Sequence, residues 1–72
     1  MRKNKTAQQE FGIRIRKLRK DIGWSQEEFT DECGLRWTYI GAIERGEGNV
    51  SLNNIHAIAK ALKISVKDLF NY

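Results

Sequence analysis

The chain has 72 residues, with 13 Lys and Arg against 9 Asp and Glu, one His, one Cys and no Pro. Its length fits one small domain with little room for an enclosed substrate pocket, since folds of about 60 residues bury only ~60% of the unfolded surface; 40% apolar and 31% charged residues exclude a disordered chain. The net charge of +4 is lopsided: residues 1–20 carry +7, with Glu10 the lone acid, and residues 21–72 carry −3, a pattern that points to a polyanion, nucleic acid before anionic membrane, or to a solvated helix face.

Residues 1–5 read as a flexible basic arm ahead of one domain over 6–72. Met1-Arg2-Lys3-Asn4-Lys5 has the charge of a secretory leader. Polar Thr6 to Glu10 follows where an apolar run would be required, so no leader is expected. From Thr6 to Ile22 the apolar positions Phe11, Ile15, Leu18 and Ile22 recur at steps of four, three and four, one stripe of a helix of 3.6-residue period, and Gly23 supplies its left-handed stop. Trp24 before the next cap is expected to pack rather than to make contacts.

Ser25-Gln26-Glu27-Glu28 matches a capping box and starts helix two, which runs to about Cys33 before Gly34 breaks the pattern. Thr30 within it is expected to bond back to a helix carbonyl. Cys33 is a lone cysteine and reads as a small packed residue with no disulfide partner. Trp37 to Arg45 form helix three, with Ile40 and Ile43 inward and Gly46 as the stop. Two short helices joined by a glycine turn make a helix-turn-helix unit, in which Gly34, Leu35, Ile40 and Ile43 fix the angle between them.

Ser51 caps a fourth helix whose inward stripe is Leu52, Ile55, Ile58 or Ala59, and Leu62; His56 on it reads as a surface residue. Ser65 opens a short fifth helix reaching about Asn71. The fold class is therefore all-α. No apolar run reaches the ~18 to 20 residues that span a bilayer, and a single His and a single Cys leave neither a metal-ligand cluster nor a nucleophile–base pair. A cytoplasmic chain with no cofactor, no membrane partner and no catalysis is the consistent expectation.

Gly23-Trp24-Ser25-Gln26-Glu27-Glu28-Phe29-Thr30, Cys33-Gly34-Leu35, Thr38-Tyr39-Ile40, Ile43-Glu44-Arg45-Gly46, Ser51-Leu52 and Ala57 to Leu62 together resemble the phage-repressor-like (Xre/Cro/CI-type) helix-turn-helix DNA-binding family. Within it the chain is most similar to the controller proteins of restriction–modification systems. The resemblance implies a five-helix, lambda-repressor-like fold and a regulator that binds a pseudo-palindromic operator in double-stranded DNA. It implies base readout by Trp37, Thr38 and Ala42 in the major groove. It also implies phosphate contacts from Gln26, Tyr39 and Arg45, with Arg36, Asn49 and Lys17 along the same surface.

Arg19 and Glu44 are implied to form a partly buried structural ion pair between helices one and three. Arg36 stands where the family often has a capping Asp or Ser, and Trp37 and Gly48 stand where controllers often carry basic residues, so an arginine-to-guanine rule does not transfer. The apolar supply at the C-terminus implies a homodimer through helices four and five, by way of Ile55, Ile58, Leu62, Ile64, Val66, Leu69 and Phe70. Such a dimer spaces its recognition helices about 34 Å apart. Contact with RNA polymerase is a further implied partner. A phage-type repressor, an antitoxin, or an interaction module that keeps the fold without reading DNA are the alternatives.

Overall fold

Hydroxyl side chains open four of the five helices in the computed structural model, which describes residues 5–72. These helices are α1 (Ala7–Ile22), α2 (Gln26–Cys33), α3 (Trp37–Glu44), α4 (Leu52–Leu62) and α5 (Val66–Leu69). Residues 1–4 of the expected arm lie outside the described residues. Ser25, Ser51 and Ser65 accept from the amides of Glu28, Asn54 and Asp68, satisfying donors that a helix start leaves free. At Ser25 the box is reciprocal, and the bonds from its amide and hydroxyl hold the Glu28 carboxyl below its ordinary range. Thr6 and Gln9 form an equivalent box at α1, which a Thr-x-x-Gln spacing encodes and the apolar stripe alone does not reveal.

Trp24 packs as expected. Its ring lies 6.1 Å from that of Phe29, joining the residue before the cap to the fourth residue of α2 as a hydrophobic staple. Gly34 ends α2 at φ 70°, the left-handed conformation the turn needs and a β-carbon disfavours. Arg36 makes no side-chain cap bond at α3, as its replacement of a shorter polar residue implied. Phe11, Ile15, Phe29, Ile40, Ile43, Ile58, Ala59, Ala61, Leu62 and Leu69 share one core, to which every helix contributes.

Four expectations are corrected here. Leu52 is 67% exposed, because each three-residue step turns the helix by about 300° and carries Leu52 about 100° away from the face that buries Ile58 and Leu62. Ile22 is exposed, since it falls in the last turn of α1, beyond Ile15 and the partly buried Leu18. α5 stops at Leu69, short of Asn71. Thr30 Oγ1 is buried without a partner, so no helix carbonyl accepts from it. Cys33 is half-buried, and burial, with Glu32 second, pushes its thiol from 9.0 up to about 12; the thiol stays protonated at neutral pH.

Gly12 decides how closely α1 approaches α3. A β-carbon there would be driven into the carbonyl oxygen of Ile43 and stand 3.0 Å from that of Glu44. Both obstacles are backbone, which no rotamer change relieves. Gly12→Ala is expected to cost about 1–3 kcal/mol of stability in urea denaturation, the range for overpacking a close contact; an unchanged midpoint would show that the two helices separate freely.

Candidate nucleic-acid interface

On α3 the buried positions Ile40, Ile43 and Glu44 leave the opposite side free. Thr38, Ala42 and Arg45 follow at steps of four and three and therefore share one face, with Trp37 beside them at 69% exposure. The Trp37 ring borders a groove lined also by Gln26, Glu27, Thr30 and Asp31. Arg36 is exposed at the start of this face. The arrangement presents a methyl, a hydroxyl, an indole and a guanidinium on a helix of 8 residues.

That helix is too short to stand alone; side-chain bonds to its neighbours place it. Arg19 donates from Nε to Glu44 Oε2 at 2.7 Å and from Nη2 to Oε1 at 2.9 Å, while its Nη1 donates to the Trp24 carbonyl at 2.8 Å. Both members are nearly inaccessible, at 7% and 9% exposure. Gln26 Nε2 donates to the same Glu44 Oε1 at 3.0 Å. The pair thus joins α1, α3, the start of α2 and the segment before it.

Other implied site residues are also held. Tyr39 is half-buried, and its hydroxyl accepts from Asn54 Nδ2 at 3.0 Å, leaving the hydroxyl proton free to donate. Arg45 pairs with Glu47 at 3.2 Å, and Asn49 Oδ1 accepts from Gln8 Nε2 at 3.0 Å. Sequence reasoning missed Gln8, Asn54 and Glu47. Asn54 and Gln8 lie 15 and 41 residues from their partners, beyond any local signal. Gly12 had one: a glycine at the edge of a helical apolar stripe marks close backbone approach.

Lys17 lies on another side of α1. Gly12 and Arg19 mark the side of α1 that meets α3, and Lys17 lies about 150° around the helix from them, paired with Asp21 at 2.9 Å. It does not line the groove beside Trp37. The C-terminal set divides likewise. Ile58, Leu62 and Leu69 are 0%, 5% and 0% exposed, so the monomer core already encloses them and they have no surface for a second copy. Ile55, Ile64 and Val66 are partly buried against that core, and Phe70 is exposed while stacking on Phe11 at 5.2 Å.

A short capped helix, a glycine turn and a second helix with one polar-apolar exposed face define a helix-turn-helix protein. A helix-turn-helix family model, HTH_3, matches residues 15–69, and the chain belongs to that family. Among its relatives, the control protein C.BamHI of Bacillus amyloliquefaciens is 48% identical over 63 residues, covering 86% of this chain and 78% of the relative. The control protein C.MunI of a Mycoplasma species is 42% identical over 62 residues, covering 85% and 84%. The crystal structure of the restriction–modification controller C.AhdI from Aeromonas hydrophila superposes with a TM-score of 0.85 at 46% identity, covering 88% and 96%.

The geometry attaches a stability prediction to the ion pair. Glu44→Gln removes the anion from a buried guanidinium, and breaking such a pair on one side costs about 3 kcal/mol or more. That is a large share of the roughly 4–11 kcal/mol expected for a domain of this size. A chemical-denaturation midpoint unaffected by Glu44→Gln would mean the pair does not hold α3 as described.

Proposed function

We propose that this protein is a sequence-specific transcriptional regulator of the restriction–modification controller type, acting in the cytoplasm as a homodimer on a pseudo-palindromic operator. The observation that carries this reading is the free face of α3: Trp37, Thr38 and Ala42 are available there, while the buried Arg19–Glu44 pair fixes the helix from behind. Similarity to named controllers over most of both chains supports the same reading.

In this mechanism α3 enters the major groove. Thr38 hydrogen-bonds a base edge or touches a thymine methyl, Ala42 offers a methyl contact, and the indole of Trp37 covers apolar base surface. Gln26 retains a second amide proton beyond its bond to Glu44 and donates it to a phosphate at the positive end of α2. The Tyr39 hydroxyl, Arg36, Arg45 and Asn49 complete the backbone contacts. Dimerisation uses the edge of α4 and α5 that the core leaves open, with Leu52, Ile55, Ile64, Val66 and Phe70, and places the two α3 helices about 34 Å apart. RNA polymerase is the partner where the operator adjoins a promoter. No step calls for catalysis or a cofactor.

Selection from genomic fragments followed by gel shifts across salt tests this reading. Thr38→Ala is expected to lose about 1–3 kcal/mol at one or two base positions of each half-site, with little effect elsewhere. Arg36→Gln is expected to weaken all sequences and to lower the slope of log affinity against log salt by about 1 for each phosphate that Arg36 neutralises. Binding insensitive to both changes, or no binding, favours an interaction module that keeps the fold without reading DNA. Sedimentation at micromolar concentration showing only monomer would overturn the dimer.

A further inference from the structure

Glu47 follows α3 by three residues, and its carboxylate faces a cation of the proposed DNA surface. Arg45 donates to it twice, from Nε to Oε2 at 3.2 Å and from Nη2 to Oε1 at 3.3 Å. A guanidinium grips a phosphate with the same two-pronged edge. The remainder of the guanidinium lies back along the helix: a β-carbon on Gly41 would stand 3.2 Å from Arg45 Nη1 and 3.8 Å from Gln26 Oε1. Gly41 therefore leaves a notch in which the Arg45 head rests beside the Gln26 carboxamide, another group assigned to the DNA backbone.

We infer that Glu47 is a built-in competitor of the DNA backbone, occupying the phosphate-gripping edge of Arg45 until DNA displaces it. The inference rests on the DNA-binding reading above. Its chemistry is that of one oxyanion standing where another will bind. Because the carboxylate competes with phosphate and touches no base-reading residue, it lowers affinity for every sequence alike. Glu47 thus sets how firmly the protein holds DNA in general, while Trp37, Thr38 and Ala42 set where it stops. The pair is open to solvent, at 61% and 59% side-chain exposure, and breaking an ion pair of this kind lowers affinity by about two- to five-fold per protomer.

The test compares wild type, Glu47→Gln, Arg45→Gln and the double variant on two probes: the operator recovered by genomic-fragment selection and a random duplex of equal length. Thermal melts confirm that each variant is folded. Glu47→Gln is expected to tighten binding to both probes by the same factor, about two- to five-fold per protomer, with unchanged base preferences. In the Arg45→Gln background the same substitution is expected to have no effect. Three results would overturn the inference: no change with Glu47→Gln; a loss confined to the operator, which would make Glu47 an orienting group for base readout by Arg45; or a gain that persists undiminished without Arg45, which would be a general effect of charge. If the wild type binds neither probe, the DNA-binding reading falls first and this inference with it.

Discussion

The Arg19–Glu44 pair is the contact on which the geometry of the proposed reading surface depends. Two nearly inaccessible charges are retained only where bonds on several sides compensate for lost hydration. Here Arg19 reaches both carboxylate oxygens and the Trp24 carbonyl, and Glu44 also accepts from Gln26. Apolar side chains of equal volume would fill the same space and could match the stability, but would leave Gln26 unanchored. The charged pair therefore fixes position more than it adds stability. It sets α3 against α1 and turns the α2 carboxamide toward the end of α3 in one arrangement.

Gly12 works on the same junction from the backbone side. By admitting the carbonyls of Ile43 and Glu44 against α1, it brings Glu44 within reach of Arg19, seven residues further along the same helix. Steric closeness and charge pairing are thus two parts of one constraint. A helix of two turns such as α3, with no side-chain cap at its start, owes its orientation to that constraint and to the anchoring of Ile40 and Ile43.

Features written in adjacent residues were legible: the serine caps, the Trp24–Phe29 staple and the glycine turn all act within a few positions. The set Trp37, Thr38 and Ala42 was implied by the family resemblance, and helical spacing with Ile40 and Ile43 inward accounts for its exposure. What the sequence concealed is set by distance. Whether Ile58, Leu62 and Leu69 serve the core or a partner depends on how much volume α1 to α3 leave unfilled, and the core proved able to enclose all three. The basic segment reads in sequence as one surface, although a helix distributes its charges around its axis, and Lys17 pairs with Asp21. Thr30 was expected to bond locally, and its hydroxyl oxygen is instead enclosed without a partner.

The charge imbalance acquires a different meaning in three dimensions. Residues 21–72 carry a net −3, which would repel DNA if those acids faced the groove. Several do not act as free anions: Glu44 is paired inside the protein, Glu28 closes a helix cap, Asp21 pairs with Lys17, and Glu47 with Arg45. Only the last of these pairs involves a residue of the proposed DNA surface, while Glu27 and Asp31 line the groove beside Trp37. In the proposed complex, long-range attraction comes from the basic residues of α1, whose effect falls off over about 10 Å at 0.1 M salt, and close contact falls to neutral side chains, with Arg36 and the paired Arg45 beside them. Such a division favours an encounter that depends on salt and a final fit that depends on sequence.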